Sequence, residues 1–185
     1  FVIKGEDGDV IVENGTIKLD SKNIYNNTLD LLDHMPVGVT NPWYDYSDNI
    51  FPSILPSKGC YGKSSLFIEV RNNNEAWLYL GNLETNYGCS KVEKDQMYYL
   101  SCYVRCDRGY ANCKINIVEK KKVGAFPDDR ENIASNTFPL DSNSNSWKRI
   151  KVFFNADEYY PYVSVKLDIT PTQGSDYVIL LFDAF

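Results

Sequence analysis

The chain has 185 residues, of which 43% are hydrophobic and 24% charged, close to the values of one ordinary globular domain. Its formal net charge of −6 argues against a nucleic acid, whose phosphates it would repel, and against an anionic membrane surface. No apolar run approaches the roughly 18 residues that a membrane-spanning helix requires. We therefore expect neither a nucleic acid nor a membrane as partner.

The first third of the chain predicts a short hairpin followed by loops. Residues 1–20 predict strands at 1–4, Val10–Glu13 and Thr16–Leu19, which we interpret as a lead-in hairpin or a linker to a preceding domain. Residues 1–5 lack a charged lead and an apolar stretch, so we expect no signal peptide there. Because the chain opens on Phe1 and ends on Phe185, we expect it to be a segment of a longer protein. Residues 21–64 predict loops with at most short strands, because they contain Pro36, Pro42, Pro52 and Pro56.

From residue 65 onward the apolar residues recur with a period of two, which is typical of half-buried strands. At 98–106, Leu100 and Val104 share one face, and Tyr99 and Tyr103 share the other. Residues 120–146 predict a long polar connection, and the almost continuous apolar run at 177–185 predicts a strand buried on both faces. The other predicted strands are 65–71, 76–80, 113–119, Lys148–Asn155 and 162–169.

Eight or nine such strands with uneven loops predict an all-β fold, an antiparallel two-sheet β-sandwich of the jelly-roll type, over residues 21–185. The apolar faces of these strands should form its core, and the residues expected there are Leu100, Val104, Ile117, Val152, Val165 and Leu180.

Five cysteines at irregular spacing do not predict a disulfide framework. Cys106 and Cys113 flank a predicted hairpin turn, so a local bridge between them is one interpretation. The interpretation that we favour is free thiols acting as small hydrophobic side chains, which fits assembly in a reducing cytosol.

The order of several short motifs resembles the jelly-roll carbohydrate-binding modules attached to xylanases and cellulases, which also occur in phage tail and fibre proteins. The resemblance covers roughly residues 23–185, and no single motif carries it alone. One position departs from the family, since Val39 stands where a tryptophan is usual, which leaves Trp43 as its substitute. The motifs are NNTLD at 26–30, PVGVT at 36–40, GKSSLFIEV at 62–70, YYLSCYVR at 98–105, SWKRIKVFFNA at 146–156 and a last strand with Asp183.

The resemblance implies a ligand on the concave face of a sheet or in the loops at its edge. Sugar binding needs flat apolar groups for the C–H side of a pyranose and polar groups for its hydroxyls. The outward row Tyr99, Tyr103 and Arg105 offers both. Packing under loops or against another protein is the alternative role for each aromatic residue. The further candidates on neighbouring strands and loops are Trp77, Tyr79 and Trp43, with Tyr162 and Lys166 as another pair.

The resemblance also implies one structural Ca²⁺ ion. By position its acidic ligands are Asp30, in the opening motif, and Asp183, near the end of the chain. Calcium takes six to eight oxygen ligands, so backbone carbonyls and other side chains would complete the site. The alternative is that Asp30 only solvates a turn and Asp183 only caps a strand.

Catalysis has little support in the sequence. His34 is the only histidine, no serine or cysteine lies in a nucleophile-elbow context, and no Cys-x-x-Cys pattern supports zinc. We therefore expect a non-catalytic glycan-binding module of a larger protein, extracellular or on a virion, with a polysaccharide or cell-surface glycan as partner. The alternative is a structural or adhesion domain of a phage tail, fibre or head-decoration protein, which contacts other virion proteins or serves host attachment.

Overall fold

The described part of the chain consists of strands and the turns that connect them. The structure, a computed structural model, describes residues 10–13, 16–19, 45–56, 58–60, 64–81, 83, 89–120, 130–156 and 161–183. Within these ranges no helix is long and apolar enough to cross a membrane. The strands are β1 (Val10–Glu13), β2 (Thr16–Leu19), β3 (Asp45–Tyr46), β4 (Ile50–Pro56), β5 (Ser64–Arg71), β6 (Ala76–Tyr79), β7 (Ser90–Lys91), β8 (Met97–Arg108), β9 (Tyr110–Lys120), β10 (Arg130–Asp141), β11 (Lys148–Asn155), β12 (Tyr162–Pro171) and β13 (Tyr177–Asp183).

Two antiparallel sheets form a sandwich around one core. The six-stranded sheet has the order β10-β9-β12-β6-β3, and β7 also pairs with β12. The five-stranded sheet has the order β11-β8-β13-β5-β4. This architecture confirms the predicted jelly-roll sandwich. β1 and β2 pair with each other antiparallel, and the strand predicted at residues 1–4 lies outside the described residues.

The period-two alternation identifies the core correctly. On β8 the side chains of Leu100, Cys102, Val104 and Cys106 are buried, and those between them are only partly covered. All the predicted core residues are buried, with exposed fractions of 7% or less: Leu100, Val104, Ile117, Val152, Val165 and Leu180. Burial of these alternating side chains is the main stabilising contribution to the sandwich.

β13 lies in the middle of the five-stranded sheet and is buried on both sides, as its apolar run predicts. Leu180 and Phe182 face the core, whereas Leu181 points to the outer surface of the sheet, and all three have an exposed fraction of 0%. Part of the outer surface of this sheet is therefore covered.

The long polar connection predicted for residues 120–146 is wrong, because residues 130–141 within it form the edge strand β10. β10 pairs with β9 along its whole length. Four of its side chains are apolar and in contact with the core, namely Ile133, Ala134, Phe138 and Leu140, and only Leu140 is fully buried. An edge strand tolerates polar residues and even Pro139, because its free side has no ladder to complete. The same argument explains β4, a seven-residue edge strand that contains Pro52 and Pro56 where only short strands were expected.

In the described part of the chain Cys106 and Cys113 are buried and no disulfide bridge joins them. Burial raises the pKa of the Cys106 thiol to about 11. Burial likewise raises the pKa of the Cys113 thiol to about 12. Both thiols therefore stay protonated near neutral pH and act as small hydrophobic groups.

Candidate functional site

The predicted binding residues lie on two opposite outer surfaces of the sandwich. Trp77 and Tyr79 alternate on β6 with buried residues, so they point outward from the six-stranded sheet. Tyr99, Tyr103 and Arg105 alternate with the buried residues of β8 and point outward from the five-stranded sheet. No single surface therefore holds the whole predicted set. Trp43 lies outside the described residues.

The outer surface of the six-stranded sheet is here termed the Trp77 face, and it comprises Trp77, Tyr79, Lys114, Asn116, Lys166 and Asp168. The strand register places these side chains in two rows. Lys166 of β12 lies between Tyr79 of β6 and Asn116 of β9. In the next row, Asp168 lies between Trp77 and Lys114. Directly opposed residues in a sheet have Cβ atoms about 4.5–5.5 Å apart, so each row is continuous.

An aromatic pair forms one side of the Trp77 face. The rings of Trp77 and Tyr79 have centroids 5.6 Å apart at an interplanar angle of 69°, an edge-to-face contact. Both side chains are half-buried, so part of each ring reaches the surface. The Lys166 Nζ atom lies 5.7 Å from the centroid of the Tyr79 ring, within range of a cation–π interaction.

A polar network lies beside these rings. The Lys166 ammonium contacts Asp168 Oδ1 at 2.7 Å. Asn116 Nδ2 donates a hydrogen bond to Asp168 Oδ2 at 2.8 Å and a weaker one to the Lys166 carbonyl at 3.3 Å. The Asn116 side chain is fully buried, so its hydrogen bond to the Asp168 carboxylate is shielded from solvent. The network presents an ammonium and a carboxylate in a defined geometry at the surface.

One end of the Trp77 face is closed by the chain that follows β6. Leu83, Cys89 and Val118 form a small separate core, against which Tyr79 and Tyr162 pack. Ser164 Oγ donates to the Gly81 carbonyl at 3.1 Å and ties this segment to β12. Tyr162 is therefore occupied in packing.

The outer surface of the five-stranded sheet is termed the Tyr103 face. Arg105 is engaged there, since its Nε and Nη2 donate to Asp107 at 2.6 and 3.1 Å and its guanidinium lies 5.1 Å from the Trp147 ring centroid. In the middle of the face, the outward side chains of Leu181 and Asp183 are fully buried. The backbone N–H of Cys60 donates to Asp183 Oδ2, so the segment 58–60 covers this region. The covered region separates two accessible parts of the Tyr103 face, one formed by β8 and β11 and one that includes the exposed Phe51 of β4.

Known protein families and curated proteins give no match to this sequence. Several solved structures match the chain at low sequence identity. The CBM22-1 xylan-binding domain of Paenibacillus barcinonensis Xyn10C has a TM-score of 0.54 and 16% identity over 80% of this chain and 85% of the module. The C-terminal family 22 carbohydrate-binding module of Clostridium thermocellum Xyn10B has a TM-score of 0.52 and 13% identity over 89% and 94%. TmCBM61, solved with β-1,4-galactotriose, has a TM-score of 0.52 and 11% identity over 89% and 96%.

The chain has the β-sandwich fold of these carbohydrate-binding modules. The resemblance drawn from the motif order is thus confirmed for the fold. Because a fold hosts many functions, the ligand of this module-like domain must be argued from its own side chains.

Sequence reasoning identified the aromatic residues of the Trp77 face but missed Asn116 and Asp168. Asp168 occupies an outward position of β12, where it alternates with the buried Leu167 and Ile169. The same period-two signal that selected Tyr99 and Tyr103 could have selected it. Asn116 carries no such signal, since only the pairing of β9 with β12 brings it to Asp168.

The calcium site expected at Asp30 and Asp183 stays a prediction. Asp183 is a fully buried carboxylate whose Oδ2 accepts the Cys60 N–H, and Asp30 lies outside the described residues. In the described ranges no cluster of three or more His, Cys, Asp or Glu side chains is arranged to hold a metal ion. A buried carboxylate suits Ca²⁺ as one ligand, but the remaining oxygen ligands would have to come from carbonyls or from residues outside those ranges.

Calcium removal gives a direct test of this site. If Ca²⁺ binds the folded domain at Asp183, adding EGTA should lower the melting temperature by about 5–10 °C, because loss of a ligand held at about 100 times its Kd costs about 2.7 kcal/mol. Differential scanning calorimetry with and without EGTA measures this shift. The Asp183→Asn variant should no longer respond to EGTA, and superimposable melting curves for the parent protein would contradict the site.

Proposed function

We propose that this chain is a non-catalytic glycan-binding module, part of a larger extracellular protein, and that the Trp77 face binds a polysaccharide. The observation that supports this best is the aromatic pair of Trp77 and Tyr79 beside the Lys166–Asp168–Asn116 network. A pyranose ring presents C–H groups that pack on an aromatic ring and hydroxyls that need donors and acceptors. The Trp77 face offers both within neighbouring rows of one sheet.

The rigidity of the Trp77 face favours binding. Asp168 is held by two partners, Lys166 and Asn116, and Tyr79 is packed against the small core at one end of the face. Side chains that are already ordered lose less conformational entropy when a ligand binds. The Asp168 carboxylate lies between Lys166 and Lys114 and offsets part of their charge, so this surface carries little net charge and suits an uncharged glycan.

The relatives agree with this class of ligand. One is a xylan-binding domain, and another was solved with β-1,4-galactotriose. We therefore propose a neutral polysaccharide, with xylan and β-1,4-galactan as the first candidates. None of the three relatives described above comes from a virion, so the virion alternative gains no support from them.

Paired substitutions on the two faces test the assignment. Trp77→Ala removes the main stacking surface and should weaken the binding of xylohexaose or galactotriose by about 1–3 kcal/mol, which is about 5- to 150-fold in Kd. Isothermal titration calorimetry gives the Kd, after a glycan array has selected the better ligand. The melting temperature of each variant checks that the fold is retained.

Tyr103→Ala is the matched control, because it removes a half-buried aromatic residue from the opposite sheet. We expect its affinity for neutral glycans to stay within about twofold of the parent value. If Tyr103→Ala weakens binding and Trp77→Ala does not, the glycan lies on the Tyr103 face, as the sequence alone predicts. If neither variant changes the Kd, both faces are excluded.

A further inference from the structure

Trp77 lies near the edge of the six-stranded sheet, where the ladder of backbone hydrogen bonds is short. β6 has four residues, and β3, the outermost described strand beside it, has two. The residues of β3 pair with Tyr79 and Leu78, so the regular pairing ends one position before Trp77. The backbone N–H and C=O groups of Trp77 on this side therefore need a partner beyond β3.

Ser47, the residue that follows β3, provides both partners. The Ser47 N–H donates to the Trp77 carbonyl at 3.0 Å, and the Trp77 N–H donates to Ser47 Oγ at 3.0 Å. In a regular antiparallel pair the second acceptor would be a backbone carbonyl. The Ser47 carbonyl instead turns away and accepts the Ile50 N–H at 3.2 Å. The serine hydroxyl thus takes the place of a strand carbonyl opposite Trp77.

Asn49 orients this hydroxyl. The Ser47 hydroxyl donates to Asn49 Oδ1 at 2.9 Å, which leaves an oxygen lone pair to accept the Trp77 N–H. Asn49 Nδ2 donates to the carbonyls of Asn74 and Glu75, at 3.1 and 3.3 Å, directly before β6 begins. We term the side chains of Ser47 and Asn49 the Ser47 clamp. The clamp joins the turn after β3 to the turn before β6.

The Ser47 clamp is itself anchored to the core of the sandwich. Ile50, the residue after Asn49, begins β4 and has an exposed fraction of 1%. The Asn49 carbonyl accepts the Arg71 N–H of β5 at 3.0 Å. A segment that is fixed by a buried side chain and by bonds to two strands has little freedom to move. It therefore holds the backbone of Trp77 in a defined place.

We infer that Ser47 is a positioning residue of the glycan site, which acts by holding the backbone of Trp77 and thereby its indole ring. The inference rests on the proposed function, since it concerns the same face. The direction of a side chain in a strand follows from the backbone of its own residue. An indole ring that is ordered before binding loses less conformational entropy when a sugar packs on it.

Ser47→Ala removes the hydroxyl and keeps the backbone bond from Ser47 to the Trp77 carbonyl. We expect the Kd for xylohexaose or galactotriose, whichever the parent binds more tightly, to rise about 3- to 10-fold in isothermal titration calorimetry. Ser47→Thr retains a hydroxyl on the same carbon, so its Kd should stay within about twofold of the parent value.

Ser144→Ala is the matched control. The Ser144 hydroxyl also bonds to the backbone of a turn, since it donates to the Asp141 carbonyl at 3.4 Å. This turn follows β10, at the opposite edge of the six-stranded sheet from β6. Its substitution should leave the Kd unchanged. An equal loss of affinity for Ser47→Ala and Ser144→Ala would contradict a specific role of Ser47.

A double-mutant cycle shows whether Ser47 acts through Trp77. Two residues that act as one unit are not additive, so Ser47→Ala should raise the Kd no further in a protein that already carries Trp77→Ala. The same fold-change in both backgrounds would overturn the inference, because Ser47 would then act on the ligand directly or on the whole domain. If Trp77→Ala alone binds like the parent, the proposed function fails on this face. If Trp77→Ala weakens binding and Ser47→Ala does not, only the positioning role fails.

Amide hydrogen exchange tests the Ser47 clamp without any ligand. In Ser47→Ala the Trp77 amide loses its acceptor, so its exchange measured by NMR should be about tenfold faster or more. The amides of β9 and β13 should exchange as in the parent, which shows that the sandwich is intact. Ser47→Thr should restore slow exchange at Trp77. Parent-like exchange at Trp77 in Ser47→Ala would overturn the inference, whatever the glycan affinity.

Discussion

Replacing Val104 with aspartate is expected to unfold the domain at room temperature or to leave it barely stable. Val104 has an exposed fraction of 0% and lies on β8, between β11 and β13. An aspartate there would be an unpaired charge in the core, at a cost of about 3–5 kcal/mol or more. Domains of ordinary stability have only about 5–15 kcal/mol to lose. Urea denaturation followed by circular dichroism measures the loss.

Val104→Thr separates the effect of charge from that of shape. Threonine has nearly the volume of valine, and its buried hydroxyl should cost about 1–3 kcal/mol. The order of stability should therefore be parent, threonine variant, aspartate variant. An aspartate variant as stable as the parent would show that the inward face of β8 has been assigned wrongly.

The alternation that identifies Val104 also explains how far the sequence could predict the fold. A strand with one buried face shows a period of two, and β8, β11 and β12 were predicted to within about two residues at each end. β10 escaped prediction because this edge strand contacts the core with few apolar side chains, and the register shift between Asn132 and Ala134 interrupts their period of two. The polar composition of residues 130–141 is thus a property of an edge strand and is easily mistaken for that of a loop.

The candidate site was harder to predict, for a different reason. Alternation along one strand separates inward from outward side chains, but it does not say in which sheet the strand lies. Trp77 and Tyr103 are both outward, yet β6 pairs with β12 and β8 pairs with β11 and β13, so the two residues lie on opposite surfaces. The contact between Asn116 and Asp168 likewise joins residues 52 positions apart in sequence. Only the strand order reveals such neighbours.

The strand order also brings the turn residue Gly109 close to the central strand β13. Gly109→Ala is therefore expected to destabilise the domain by about 2–4 kcal/mol. Gly109 lies between β8 and β9 with φ of +79°, a left-handed conformation that costs a residue with a side chain about 1–2 kcal/mol. A Cβ atom there would also lie 2.6 Å from the backbone oxygen of Tyr177 and 3.2 Å from Val178 Cγ2. Tyr177 begins the central strand β13, whose pairing with β5 and β8 prevents its carbonyl from moving away.

Gly174→Ala is the control that isolates this clash. Gly174 has a similar φ of +70°, but a Cβ atom added there would meet no atom within 4 Å. Its substitution should therefore lower the free energy of unfolding only by the cost of a positive φ for alanine, about 1–2 kcal/mol. For a chain of this size that corresponds to about 2–8 °C in melting temperature. Gly109→Ala should lower the melting temperature clearly further, because the hairpin must shift against a strand that is fixed on both sides. Equal losses for the two variants would mean that the β8–β9 turn can move away from β13, and that the close approach of the turn to Tyr177 does not constrain the sheet.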